Sequence, residues 1–536
     1  MKTNKPLYIA AAMSGLLALA GCVNDLEVQP LDQTVTTAKR AYADVDNYER
    51  GLKKIYSVWA LSGQDGAGSS DISGMDAGNT ALLRSWWMLQ EATTDEAKVA
   101  WPDVWCPEIN GMTWGTNLVE PIEAVYQRTM NIVALSNEYL KNVADAPAEV
   151  DKSRFSAEAR FCRALAYYVL LDQFATPPFI TESNYSLTPS QLSRQDLFNW
   201  IESELKAILP NLPAAGTEYG RADQGAVNAL LARMYLNAEV YTGTERYTDC
   251  VEACKAVIAS GYALAPVYAD LFKADNGENA ATKKEIIFPI LFDGNTTQSY
   301  GIAALILGAR GGDEVSVATD GVKSGWNGSR STSRLPLLFD YADASKPTAA
   351  TILDKRGIFY DKGRSLQITT AVNGTFTTEG WAVHKYTNLR SDGTPGSNSE
   401  FPDTDFPFFR LGDVYLMYAE AVARGGQGGD MNTAVGYVNA LRKRGYGDSS
   451  HDVNAAWLTA NNYRNLLNER GRELYWEGTR RTDLIRFGLY TSASYLWEGK
   501  GGVIGGVGVN ARYNLFPIPA TDLSVNGKLK QHDTYQ

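Results

Sequence analysis

Histidine is nearly missing from this 536-residue chain: only His384, His451 and His532 occur, far apart in sequence. Zinc chemistry built on histidine pairs is close to excluded. Cysteine is almost as scarce, and Cys106, Cys162, Cys250 and Cys254, the four beyond the N-terminal region, show no disulfide spacing. Cys250 and Cys254 lie one helical turn apart, but no second ligand pair accompanies them, so buried free thiols are expected. No Lys/Arg block is long enough to follow a phosphate backbone, and the net charge is −11. Nucleic acid is therefore a poor partner. Enzyme signatures are missing as well: the chain has no G-x-S-x-G, no H-E-x-x-H and no G-x-x-x-x-G-K-[ST]. The glycine run at 499–508 places Ile504 where a dinucleotide fingerprint needs its third glycine, and reads as a loop.

What is present is an ordinary globular mix, 44% apolar and 21% charged, which rules out disorder of the whole chain. Its length admits one large domain or a few intimate ones. Aromatic residues are plentiful, with 12 Trp, 29 Tyr and 17 Phe. Such a surplus is a first hint that something flat is recognised.

Residues 1–21 combine a basic start, Lys2 and Lys5, with an apolar stretch from Leu7 to Ala20 that is too short for a good transmembrane span. Leu19-Ala20-Gly21-Cys22 is the lipobox of a bacterial lipoprotein precursor, with cleavage before Cys22 and lipidation of its thiol. Several acyl chains on one cysteine anchor durably where one would not. Residues 22–40 are polar and read as a lipidated tether. The expected attachment is to a membrane through that lipid, with the body held off it by the tether.

From residue 41 onward the chain reads as mainly α, with loops between helices. Leu411, Val414, Tyr415, Tyr418, Ala419 and Val422 form an amphipathic stripe, and Ser156–Phe174, Ala226–Glu239 and Tyr247–Ser260 are patterned similarly. Helix pairs of about 34 residues on Ala, Leu and Tyr knobs suggest degenerate tetratricopeptide-like hairpins. Residues 275–402 are rich in turn clusters, as are 62–80. The expected organisation is one domain over 41–536, a helical scaffold at 41–274 and 403–523 with a loop-rich insertion at 275–402. Structured loops on a helical scaffold are where binding residues tend to lie.

Two acidic pairs suit a glycoside hydrolase. Glu473 and Glu477 fall one helical turn apart, and Asp403 and Asp405 flank Thr404. Around the first pair crowd Arg470, Arg472, Arg480, Arg481 and Arg486, which would depress carboxylate pKa values. An ion-pair lattice joining helices is the preferred reading there. Hard oxygen donors at Asp275-Asn276-Gly277-Glu278-Asn279 would suit a structural Ca²⁺, although their order departs from the EF-hand and such turns are commonly just solvated. No other cofactor is expected.

Five segments in order resemble the SusD/RagB family of outer-membrane glycan-binding lipoproteins: 159–174 (ARFCRALAYYVLLDQF), 220–243, 403–426 (DTDFPFFRLGDVYLMYAEAVARGG), 469–488 (ERGRELYWEGTRRTDLIRFG) and 513–523. The resemblance implies a SusD-like helical scaffold with tetratricopeptide-like units and a ligand face built by loops. It implies a non-enzymatic protein seated over a SusC-type TonB-dependent transporter that imports the captured oligosaccharide. The helical side and the tether would face that barrel. Two other classes stay open, a lipid-anchored hydrolase and a structural transporter partner without glycan affinity.

Starch binding in the family is implied to use an arc of three aromatics and an arginine. That pattern falls on Arg84, Trp101, Tyr300 and Trp326. Aromatic planes cover the apolar face of a sugar while polar side chains bond its hydroxyl rim. The asparagine expected soon after the first tryptophan is replaced by Pro102-Asp103-Val104-Trp105. Further rings at Trp86, Trp87, Trp105 and Trp114 suggest a longer, flatter platform, and so a β-glucan ahead of starch.

Overall fold

The computed structural model describes residues 41–311, 315–370, 372–374 and 376–535. The signal sequence, Cys22 and the tether therefore lie outside the described residues. The fold is mainly helical. Its principal helices are α1 (Val45–Ser57), α2 (Leu82–Trp87), α3 (Glu120–Val143), α4 (Lys152–Phe174), α5 (Arg194–Ile208), α6 (Gln224–Leu236), α7 (Tyr247–Ile258), α8 (Tyr300–Ile306), α9 (Leu411–Ala423), α10 (Met431–Tyr446) and α11 (Arg464–Leu474). Start signals are written in the sequence: Asp44, Asp151, Ser193, Asp223 and Asp430 each accept a backbone N–H of the helix they precede.

Sequential helices pack on one another, α3 on α4 and α4 on α5, then α6 on α7, α7 on α9 and α9 on α10. Buried almost all round, α4 occupies the middle of the first group. Such a helix shows little amphipathic period because it has no wet face. Among the described residues no helix is long and apolar enough to cross a membrane. The four cysteines of the described residues are free and buried.

Strands are few and short. Among the described residues three antiparallel pairs form: β1 (Lys98–Val99) with β3 (Ser329–Arg330), β2 (Ile286–Ile290) with β6 (Phe406–Arg410), and β4 (Phe359–Tyr360) with β5 (Ala382–Val383). The longest pair, β2 with β6, is wholly buried and carries Arg410 at its end directly into α9.

Between α7 and β6 the chain is held by short helices and turns rather than long elements. This stretch supplies α8 and β3, and α8 packs against α2.

Candidate functional site

The ladder of β1 and β3 is only two residues long, Lys98 opposite Arg330 and Val99 opposite Ser329. One further bond, Ala100 N–H to Gly328 O at 2.8 Å, extends it. Continuing that register sets Trp101 beside residues 326 and 327. The Trp101 indole N–H donates to Trp326 O at 2.8 Å, closing a sequence gap of 225 residues. Gly328 is required here, because a Cβ on it would lie 2.3 Å from the Trp101 ring.

Helix α2 places Arg84 with its guanidinium carbon 4.7 Å from the Trp101 ring centre. Arg84 is 7% exposed, and its Nε has no hydrogen-bond partner among the described residues. Burial pulls the guanidinium pKa below its ordinary value, against the nearby charges of Asp103 and Glu120. On the other flank, Ser299 caps α8 and anchors itself on Ala60 O, which fixes Tyr300 as the first residue of the helix. Tyr300 lies 6.1 Å from Trp326, ring centre to ring centre, with the planes at 53°.

All four residues named from the sequence thus form one cluster in the order Arg84, Trp101, Trp326, Tyr300. Its three aromatics are each half-buried, so each keeps an open surface. A chain of tilted half-open rings ending in a guanidinium with donors to spare can stack sugar rings and bond their hydroxyls.

The wider platform does not exist. Trp86, Trp87, Trp105 and Trp114 are 3%, 1%, 6% and 0% exposed. Trp86 stacks on Phe408, the Trp87 indole N–H binds Trp476 O, and that of Trp114 binds Tyr535 Oη. These rings fill the core between α2, β6 and the C-terminal segment.

Glu473 and Glu477 do not share a helix face either. Helix α11 ends at Leu474, Trp476 has φ 63°, and Glu477 follows this reversal. The two carboxylates nevertheless meet on Arg410, at 2.6 Å each. Burial would raise the pKa of Glu473, but Arg444, Arg410 and Arg356 hold it at about 2. The five arginines around this pair in sequence bind other carboxylates, among them Asp413, Glu469, Asp95, Asp172 and Glu420.

Asp403 and Asp405 line a cavity of about 650 Å³. Burial pushes Asp405 up to about 7. Both of its oxygens are engaged, by Phe292 N–H at 2.8 Å and Tyr219 Oη at 3.0 Å, while Asp403 accepts from Gly294 N–H and from Ser397. These are loop-closing bonds. The donors of 275–279 are similarly spent: Asp275 accepts from Ser391, Asn276 bridges Leu271 O and Asp405 O, and Glu278 pairs with Arg390. Among the described residues, no three His, Cys, Asp or Glu side chains gather as a metal site.

Two family models match the chain. One, described as "SusD family", covers residues 359–535, and one described as "Starch-binding associating with outer membrane" covers 76–236. The starch-binding protein SusD of Bacteroides thetaiotaomicron is 33% identical over 579 aligned positions, spanning 100% of both chains. The chain belongs to the SusD family. A SusD-like protein of Bacteroides ovatus is 25% identical over 57% of this chain and 56% of its own length. Among solved structures, a SusD-like carbohydrate-binding protein from Bacteroides fragilis superposes with a TM-score of 0.69 at 18% identity, covering 91% of this chain and 99% of its own. Surface glycan-binding protein A from Bacteroides thetaiotaomicron, solved with laminarihexaose, gives 0.67 at 18% identity over 91% and 99%. These likenesses establish the SusD fold.

Within this SusD-family chain the matched segments contain Arg84 and Trp101, whereas Tyr300 and Trp326 fall between them. Two neighbours of the cluster escaped the sequence reading. Phe401 lies 5.6 Å from the Tyr300 ring. Asn327, exposed and with φ 53°, lies beside Trp326 in the extended register opposite Trp101. An asparagine in a left-handed position before a glycine is a turn signal, and it was the one sequence clue available.

Proposed function

We propose that this protein is a non-catalytic glycan-binding lipoprotein, anchored through lipid on Cys22 at the outer membrane, that captures a glucan and hands it to a SusC-type TonB-dependent transporter. The observation that carries the reading is the cluster itself. Three half-open aromatic rings form one cluster, with the Arg84 guanidinium over the Trp101 ring. Half-open rings give stacking surface to the apolar faces of sugars, and a guanidinium beside them can bond hydroxyls at the rim. Asn327 offers the rim amide that is missing after Trp101.

The 53° tilt between Tyr300 and Trp326 favours a curved α-glucan over a flat β-glucan. That reverses the preference drawn from the tryptophan count, since the four rings behind it are buried. Binding without hydrolysis is supported by the full engagement of Glu473, Glu477, Asp403 and Asp405. An affinity-gel screen of the soluble form lacking Cys22, against starch, β-glucans, xyloglucan, xylan and fructans, tests the ligand. Retention by starch is expected, and no retention on any gel would overturn the binding role. Sustained release of reducing sugar would overturn the non-catalytic one. Mild detergent extraction of the lipidated protein is expected to bring a large barrel protein with it.

A further inference from the structure

Next to Arg84 a second concavity opens, about 550 Å³ in volume, between the 73–80 loop, the 104–108 turn and the start of α3. Its lining includes Val104, Trp105, Glu108, Leu118, Glu120 and Glu123. Two features set it apart from a chance crevice. Val104 and Leu118 are 91% and 74% exposed, so its wall carries two aliphatic side chains left in water. Trp105, by contrast, is 6% exposed, and its indole N–H, set toward the Glu120 carboxyl, completes no hydrogen bond of good geometry among the described residues.

The concavity is linked to the aromatic cluster through its Glu120 carboxyl, which lies within electrostatic reach of Arg84. That guanidinium lies over Trp101 on one side and within the field of Asp103 and Glu120 on the other. The loop from Trp101 to Trp105 runs from one region to the other in four residues. We propose that this pocket is a second subsite for the same glycan chain, taking neutral sugar residues that extend past Arg84. The inference rests on the glycan-binding reading above. Aliphatic C–H surface on Val104 and Leu118 would meet the apolar faces of the sugar, and the three carboxyls would accept its hydroxyls. Burial raises the pKa of each of Glu108, Glu120 and Glu123, as expected of carboxyls set in a recess. Three acids with Arg84 as the near cation repel uronic or sulfated chains, so the subsite selects neutral glycans.

The test compares chain lengths. Titrations of the soluble parent with maltotriose and with maltodecaose are expected to show tighter binding of the longer chain. The double variant Val104→Ser/Leu118→Ser changes two exposed positions, and its melting temperature should match that of the parent. It should bind maltotriose as the parent does and maltodecaose about fivefold more weakly, a loss of about 1 kcal/mol. Laminari-oligosaccharides of matching lengths form the second arm. Equal affinity of parent and variant for long chains in both arms would overturn the subsite while leaving the aromatic cluster standing. No binding of any oligosaccharide by the parent would overturn both. Unchanged glycan affinity combined with weaker co-purification of a barrel protein would make this rim a protein contact and also overturn the proposal.

Discussion

Arg410 and Arg84 are both almost wholly buried, yet their surroundings are opposite. Arg410 donates to Glu285, Glu473 and Glu477 and to the Glu473 carbonyl. Around it Arg356, Arg444 and Lys385 bind the same or adjoining carboxylates, so positive and negative groups alternate through the junction of β6, α10 and α11. Arg84 has the face of Trp101 and, among the described residues, no carboxylate paired with it and no partner for its Nε. A network of alternating charges fixes elements relative to one another, whereas a buried cation with no carboxylate partner among the described residues fixes none and marks a candidate binding surface. Carboxylate pairing, more than residue type or burial, is what differs between the scaffold and the proposed site.

The comparison breaks most visibly at Arg410. Arg410→Met leaves three buried carboxylates without their shared cation, and stranding one buried charge costs about 3–5 kcal/mol. We expect no soluble protein, or a melting temperature lower by about 5 °C or more. A variant melting with the parent would show that the network is ornamental.

Next comes the cluster. Trp326→Ala removes the ring that tilts against Tyr300, a stacking surface worth about 1 kcal/mol or more. Glycan retention is expected to disappear while the circular dichroism spectrum stays unchanged. Trp101→Ala should cost as much binding and also loosen the 326–328 turn, because its indole holds Trp326 O. Wild-type retention by both variants on every glycan the parent binds would remove this surface as the site.

Arg84→Met sharpens the contrast from the other side. It deletes a desolvated cation rather than half of an ion pair, so the melting temperature should hold or rise by about 1 °C. Glucan affinity should fall about tenfold, the cost of one hydrogen bond to a charged donor. A large loss of stability would mean that Arg84 belongs with the scaffold.

The sequence reveals these two regions unevenly. Helix α9 is visible because its apolar residues recur at helical spacing, and an ion-pair lattice is visible because five arginines, Arg470 to Arg486, crowd the segment that carries Glu473 and Glu477. The partners are not visible. Asp95 and Asp172 come from remote segments, and Glu477 lies past a reversal at Trp476 that local propensity does not encode. The aromatic cluster is legible only through family resemblance, since a two-residue ladder joins Trp101 to Trp326 and carries no periodic signal. For the same reason a count of tryptophans could not distinguish Trp86, packed on Phe408, from Trp326 at a half-open turn.

A third class of buried charge gives the smallest expected effect. Glu91 and Glu96 lie behind α2, in a π-helical turn at Met88–Ala92 and just after it, and neither is a member of the Arg410 network. Glu91 accepts from the N–H groups of Gly478 and Thr479, and Glu96 from that of Trp476. Burial, with the Asp95 charge, pushes Glu96 up to about 7 in spite of Arg480, and burial beside Glu96 raises Glu91 as well. A carboxyl whose folded pKa exceeds its unfolded value of 4.5 binds its proton more tightly in the native state. Its contribution to stability is complete below pH 4.5 and is lost as pH rises through about 7. Carboxylates of the network behave in reverse: Glu473 and Glu420, held at about 2, contribute above pH 4.5 and lose that contribution only in acid. Asp405, raised to about 7, titrates near the same window, as does Lys98, brought down to about 7 from above, and burial lowers His384 and His532. The measurement is therefore a difference between two proteins in which these groups cancel. Glu96→Gln keeps an acceptor for Trp476 N–H and removes the titration. Relative to the parent, its melting temperature should rise by about 2 °C between pH 5 and pH 7.5. A constant offset across that range would show that Glu96 does not take up its proton in this window.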